Sequence, residues 1–142
     1  MTRLHRVFVE KRPGFRAEAE ALRSELEENL SIDAGSLRVL NVYDLEGFGE
    51  DLLEKAAWRV FAEKATDEVT VSEEAGLAAL GLPEGAATLA IEYLPGQFDQ
   101  RAASACDCVR LLDPSADVRI KSSRLLVFPG GLGKEQLDMV RH

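Results

Sequence analysis

The stretch that decides the fold is VFVEKRPG, residues 7–14, because its pattern returns as LAIEYLPG, residues 89–96. In both, alternating apolar residues lead into a glutamate, and Pro-Gly follows after two more residues, at an offset of 82 (position 89 against position 7). Two shorter matches follow, Leu37-Arg38-Val39 with Val118-Arg119-Ile120 and Gly47-Phe48-Gly49 with Gly131-Leu132-Gly133. The pattern predicts a supersecondary unit written twice, each copy covering the apolar face of the other. The alternative is that strand, helix and Pro-Gly turn recur by chance.

The periodicity of apolar residues divides the chain into two units and a connector. We predict a first repeat over residues 1–71, a linker over 72–87 and a second repeat, cut short, over 88–142. The strands expected in the first repeat cover 5–9, 36–43 and 68–71, with helices over 16–30 and from about 50 to 62. The linker is expected to hold one helical turn near 77–80. The second repeat is expected to have a strand over 88–93, a helix over 100–112, one or two strands over 117–127 and a helix from 134 onward.

The predicted fold class is α+β, with tandem units related to the ferredoxin-like arrangement that form two pseudo-symmetric lobes, their sheets joined or packed together. Each strand should bury one face, so Val9 and Ile91 are both expected to point into a core. The correspondence also calls for a further strand after the last helix. We therefore expect these 142 residues to be the front of a longer polypeptide, with a naturally short C-terminus as the alternative.

The charge balance argues against two classes of partner. The net charge is −8, and the sequence contains no basic stripe interleaved with aromatic residues and no apolar run of membrane-spanning length. Nucleic acids and anionic membranes both select basic surfaces. We expect no nucleic-acid partner, no membrane partner and a cytoplasmic location.

The search for catalytic chemistry assigns no catalytic, cofactor-binding or metal-binding residue. The glycine-rich segment 130–134 lacks the spacing of a phosphate-binding loop, and the two histidines lie at opposite ends of the chain. The segment after the second Pro-Gly turn is more informative, since it carries more polar, charged and aromatic groups than a turn needs. Its five residues are the candidates for domain docking: Gln97, Phe98, Asp99, Gln100 and Arg101. For Asp99 the alternative role is that of N-cap for the following helix.

Several stretches carry a family resemblance. EYLPGQFDQRA (92–102), with Ser104 and Cys108-Val109, resembles the N-terminal region of large-form phosphoribosylformylglycinamidine synthase. In the first half, VEKRPGF (9–15), RVLNVYDLEG (38–47), VFAE (60–63) and TDEV (66–69) agree with it. The resemblance covers essentially the whole chain.

The resemblance implies a PurS-dimer-like domain of a purine-biosynthesis ligase, which converts formylglycinamide ribonucleotide to the amidine with ATP, magnesium and ammonia from glutamine. The implied partners are the synthetase and glutaminase domains that this domain bridges, and the ATP and magnesium belong to those later domains. The chain alone is therefore expected to be a non-catalytic scaffold with no cofactor of its own. Two alternatives remain open: a regulatory module that binds a small metabolite between its repeats, and a small free-standing enzyme.

Overall fold

A computed structural model describes residues 4–73, 76–94 and 96–141 and has an α+β fold. Residues 1–3, Glu74, Ala75, Pro95 and His142 lie outside the described part. The strands are β1 (Leu4–Lys11), β2 (Arg38–Glu46), β3 (Asp67–Ser72), β4 (Ala87–Glu92) and β5 (Arg119–Phe128). The helices are α1 (Ala17–Leu30), α2 (Glu50–Ala56), α3 (Gln100–Leu112) and α4 (Lys134–Arg141).

The five strands form one antiparallel sheet in the order β3-β1-β2-β5-β4. The pairing of β2 with β5 joins the two halves of the chain, from Arg38 opposite Val127 to Glu46 opposite Arg119. The two predicted lobes therefore share a single sheet.

The alternation of side chains along the strands gives the sheet two apolar faces. On the helical face, one cluster joins Val7, Tyr43 and Leu45 to α3 through Ala105 and Val109. A second cluster joins Leu89, Leu126 and Phe128 to α1 through Leu26, with Leu137 and Val140 of α4 against it. Each of these two clusters therefore joins residues from both halves of the chain.

The opposite face carries a third cluster, built on Phe8, Leu40, Val42, Leu125 and Val127. The segment expected as a linker packs here, with Leu77, Leu80 and Leu82 against the cluster. It includes a 3-10 turn at Ala78–Leu80, close to the helical turn that the sequence predicts. The segment thus covers the sheet as well as connecting the halves.

Equivalent positions of the two halves share several local features. Gly14 and Gly96 both have left-handed backbone, with φ of 92° and 87°, and so do Gly47 and Gly131, with φ of 88° and 81°. The helices α2 and α4 start alike: the Leu53 N–H donates to the Gly49 carbonyl at 2.9 Å, and the Leu137 N–H to the Gly133 carbonyl at 3.0 Å.

The strand registers correspond closely but not at one offset. In the first half Val9 lies opposite Asn41, and in the second half Ile91 lies opposite Arg124. Ile91 comes 82 positions after Val9 (91 − 9), and Arg124 comes 83 positions after Asn41 (124 − 41). The sequence match of Leu37-Arg38-Val39 with Val118-Arg119-Ile120 predicts an offset of 81 between β2 and β5 (118 − 37). This is two residues less than the offset of 83 observed in the strand pairing. A shift by two residues keeps every side chain on its face.

The expected burial of Val9 and Ile91 is only half right. Both side chains lie on the helical face of the sheet, because Val9, Asn41, Arg124 and Ile91 form one cross-strand row. Val9 is buried at 5% exposure, whereas Ile91 is 46% exposed. Ile91 belongs to β4, which pairs only with β5 among the described residues, so one side of it lacks a neighbouring strand.

Two elements differ in detail from the sequence prediction. The second helix changes from α-helix to π-helix over Ala57–Phe61, a change that an apolar stripe does not reveal. The segment 117–127, expected as one strand or two, contributes all but the last residue of the single ten-residue strand β5, which ends at Phe128.

Candidate functional site

A polar row crosses the helical face of the sheet, between its two apolar clusters. The row runs Val9, Asn41, Arg124, Ile91 from strand β1 to strand β4. The neighbouring rows are largely apolar: Val7 and Tyr43 on one side, and Val39, Leu126 and Leu89 on the other. Cavities that are also lined by helix residues include all four residues of this row, which therefore forms the floor of a trench.

Two adjoining cavities make up this trench, and Glu18 and Arg101 line both of them. The first has a volume of about 490 Å³ and lies over Val9 and Asn41. The second has a volume of about 420 Å³ and lies over Arg124 and Ile91. Each falls within the range of small-molecule sites, roughly 300–1,000 Å³.

The walls of the first cavity come from three helical elements. Helix α1 contributes Glu18 and Ala19, helix α3 contributes Arg101, and the π-helical segment contributes Arg59, Val60 and Phe61. A π-helical turn inside a helix is uncommon and occurs often at functional sites. Here the π-helical segment places a cation, Arg59, in the wall of the cavity.

Most of the charges in this wall already have partners. Lys11 Nζ lies 2.8 Å from Asp67 Oδ1, Arg16 Nε donates to the Lys11 carbonyl at 2.7 Å, and Arg124 pairs with Glu18. Burial alone would raise the pKa of Asp67, but hydrogen bonds from Lys11, the Glu63 N–H and Thr66, with the Lys11 charge, lower it below its ordinary value. Asp67 therefore stays ionised and neutralises Lys11.

Two cations and one oxygen in the first cavity have no hydrogen-bond or ion-pair partner in the described part of the chain, although Arg101 lies near the Asp99 carboxylate. Arg59 and Arg101 make no hydrogen bond or ion pair there. The Asn41 Oδ1 atom is buried and also accepts no hydrogen bond from the described residues. An unsatisfied buried oxygen costs about 1–3 kcal/mol, which makes this position unfavourable when the trench holds no donor.

Asp99, one of the five docking candidates, anchors α3 to the sheet. Its Oδ1 accepts from the Ala102 N–H at 2.9 Å and from the Ser122 hydroxyl at 2.6 Å, and its Oδ2 accepts from the Ser122 N–H at 2.8 Å. Burial alone would raise the pKa of Asp99, but these hydrogen bonds and the nearby Arg101 charge lower it. Asp99 is therefore the N-cap of α3, the role weighed against docking, and it also ties the helix to β5.

The other four candidates are exposed. Gln97 Oε1 accepts from the Leu94 N–H at 2.7 Å and closes the turn. Phe98 is 73% exposed, Gln100 begins α3 at the surface, and Arg101 lines the trench. The structure thus brings Gln97 and Arg101 to the second cavity, while Phe98 faces solvent.

Exposed apolar side chains are concentrated around this segment. Of the nine large apolar residues exposed in the described part, four lie between positions 91 and 98. We call these four the apolar patch: Ile91, Tyr93, Leu94 and Phe98. They lie at the end of β4 and in the turn before α3, beside the unpaired edge of the sheet.

Sequence reasoning missed Asn41, Arg59 and Arg124. One signal was available: Asn41 is a polar residue between Val39 and Tyr43 on the apolar side of a strand, a place where a buried polar group needs a reason. Arg124 gives the same signal, because it is a charged residue on the face of β5 that also carries the buried Leu126 two positions later. No sequence pattern marks Arg59, because its position depends on the π-helical turn.

Among residues 4–73, 76–94 and 96–141, no group of three or more His, Cys, Asp or Glu side chains is placed to hold a metal ion. None of the helices in this part is long and apolar enough to cross a membrane. Compared with known proteins, the chain matches no family model, no curated protein and no solved structure.

Proposed function

We propose that this chain is the N-terminal scaffold domain of a large-form phosphoribosylformylglycinamidine synthase. In this role it catalyses nothing itself, bridges the synthetase and glutaminase domains of the ligase and supports ammonia transfer between them. ATP and magnesium would bind to the later domains. Under this proposal the protein acts in the cytoplasm.

The proposed origin is a fused pair of PurS-like repeats, and the sheet order supports it. The first half contributes β3-β1-β2 and the second contributes β5-β4, so β2 and β5 occupy equivalent places at the centre. The left-handed glycines, the matching helix starts and the register offsets of 82 and 83 agree with this correspondence. A strand added beside β4 would take the place that β3 has beside β1.

The observation that carries the docking role is the apolar patch. Monomeric proteins seldom cluster exposed large apolar side chains without a binding role. The patch overlaps the stretch in which the family resemblance is most specific, residues 92–101. Phe98, at 73% exposure, is the most exposed side chain of the patch, and aromatic residues are enriched at protein interfaces.

The test replaces Phe98 with Ala in the whole ligase and measures amidine formed per glutamine hydrolysed. We expect a severalfold drop in this ratio, because ammonia is lost when the domains no longer dock closely. Leu111→Ala is the matched control: this α3 residue is 85% exposed and lies outside the patch. Both variants of the isolated chain should unfold within about 0.5 kcal/mol of the parent chain, as surface substitutions usually do.

Arg101→Ala extends the same test to a charged candidate. In the isolated chain it should be nearly neutral, within about 0.5 kcal/mol. At a desolvated interface the same truncation leaves its partner unpaired and costs about 2–5 kcal/mol. If Arg101→Ala and Phe98→Ala destabilise the isolated chain but leave the ratio in the whole ligase unchanged, these residues are structural and the docking proposal is wrong.

A further inference from the structure

The first cavity of the trench gathers groups that suit an anionic ligand. We propose that it binds a small metabolite that carries a carboxylate or phosphate group and, next to it, a hydroxyl group. Arg59 and Arg101 would bind the anionic oxygens, and the hydroxyl would donate to Asn41 Oδ1. This inference goes beyond the scaffold proposal: the two share Arg101, but only this one involves Arg59 and Asn41.

The anion-binding part of the proposal rests on Arg59 and Arg101. Both line the cavity, come from different helical segments, and make no hydrogen bond or ion pair with the described residues. Guanidinium groups bind carboxylate and phosphate through paired, charge-assisted hydrogen bonds. Among the carboxylates of the cavity wall, only that of Glu63 has no hydrogen bond or ion pair with the described residues. The charged side chains without an ion pair in the described part therefore sum to +1, with two arginines against one glutamate.

This local excess of positive charge contrasts with the whole molecule. The chain has a net charge of −8, so its overall field repels anions. Saturable anion binding by such a protein requires a local site. The first cavity is such a place, because its acidic groups other than Glu63 are neutralised by Lys11 and Arg124.

The hydroxyl part of the proposal rests on Asn41. Its Oδ1 is buried in the cavity floor and accepts no hydrogen bond from the described residues. Buried polar atoms in native proteins nearly always have a partner. A ligand hydroxyl supplies the missing donor when the Asn41 amide turns its buried Oδ1 toward the cavity, and this would explain a polar side chain between Val9 and Arg124 in the middle of the sheet.

The experiment titrates the full chain calorimetrically with four probes at constant ionic strength: malate, succinate, glycerol 3-phosphate and propyl phosphate. Malate and succinate differ only by the hydroxyl group. We expect saturable binding of malate or of glycerol 3-phosphate, and weaker binding of the partner probe without the hydroxyl. The preferred pair tells whether the natural ligand is a hydroxy acid or a phosphate ester, and either result supports the proposal.

Variants assign the contacts. Arg59→Gln and Arg101→Gln should each weaken the preferred probe about tenfold or more, because each removes a charge-assisted hydrogen bond. Arg119→Gln is the matched control, an exposed β5 arginine outside the trench, and should bind as the parent chain does. Asn41→Leu should bind both members of the preferred pair equally, and its melting temperature shows whether it remains folded.

Three results overturn the proposal. The first is no saturation by any probe at millimolar concentrations. The second is equal weakening by Arg119→Gln, which would mean a general charge effect. The third is an undiminished preference for the hydroxylated probe in a folded Asn41→Leu chain. Failure here leaves the scaffold proposal intact, since Arg59→Gln is not expected to change amidine formed per glutamine hydrolysed.

Discussion

Asp99 supports the segment on which both proposals depend, and its removal should be costly. Replacing it with Ala deletes the cap of α3 and both hydrogen bonds to Ser122, at 2.6 and 2.8 Å. Loss of an N-cap costs about 1 kcal/mol. Each hydrogen bond to a charged acceptor contributes about 1.5–3 kcal/mol, and we take the lower figure because part of the carboxylate is accessible. The Ser122 hydroxyl, in a residue only 2% exposed, is also left without its acceptor.

The sum is a loss of about 4 kcal/mol of unfolding free energy, a large share of the roughly 5–15 kcal/mol typical of a domain. For a chain of this size it corresponds to a fall in melting temperature of about 10 °C. Urea unfolding followed by circular dichroism measures the free energy, and a thermal scan measures the temperature. Asp107→Ala is the matched control, because this α3 carboxylate is 77% exposed and pairs only with Arg110 in the described part.

The Asp99 contribution should also depend on pH in a defined direction. Its pKa is lowered in the folded chain, so the folded state binds the proton more weakly than the unfolded state does. The stability from the charged form is therefore present above the unfolded pKa, about 3.9, and is lost as pH falls through the folded pKa. The difference in unfolding free energy between the parent chain and Asp99→Ala should be constant from neutral pH to about pH 5, and it should decrease below about pH 4. If Asp99→Ala costs no more than Asp107→Ala, or if this difference increases in acid, the anchoring role is wrong.

Three further predictions address the fold and the absence of catalysis. Gly47→Ala should lower the free energy of unfolding by more than about 2 kcal/mol, because the added Cβ would lie 2.5 Å from the Asp117 carbonyl oxygen. Gly14→Ala is the control, since its Cβ meets no atom and only the backbone strain of a positive φ remains. Equal losses of the two variants in urea unfolding would contradict this. Glu10→Gln should lower the free energy of unfolding by about 2 kcal/mol, because the buried Glu10 carboxylate accepts two hydrogen bonds from Arg38, at 2.7 and 2.9 Å. An unchanged free energy in urea unfolding would contradict a stabilising role for this ion pair. The isolated chain should form no ADP from formylglycinamide ribonucleotide, ATP and ammonium, and turnover that scales with chain concentration would contradict the scaffold proposal.

The elements of the fold could be predicted from the sequence because their signals are local. Alternating apolar residues mark β1 and β4, and the three- and four-residue spacing of Leu22, Leu26 and Leu30 marks α1. The candidate docking segment, residues 97–101, also stands out in the sequence, since its polar and aromatic residues exceed the needs of a turn. The sequence did not show that Asp99 has a structural role while its neighbours are exposed. That role depends on hydrogen bonds from Ser122, which lies 23 positions further along the chain.

The trench could not be predicted, because it depends on contacts between distant parts of the chain. Asn41 and Arg124 become neighbours only through the pairing of β2 with β5. Arg59 and Arg101 meet at one cavity because a π-helical turn and α3 flank the same row of the sheet. The packing of the 72–87 segment was hidden for a different reason: its Ala, Gly and Glu content resembles a linker, while three leucines do the packing.

The central claim, that this chain is a docking scaffold for a glutamine-dependent ligase, has one direct test. The chain is added to the synthetase and glutaminase domains of the ligase from the same source, and amidine formed per glutamine hydrolysed is measured. We expect the chain to bind these domains and raise the ratio toward unity, the Leu111→Asp chain to do the same, and the Phe98→Asp chain to fail. If the unmodified chain neither binds nor changes the ratio, the scaffold account is contradicted.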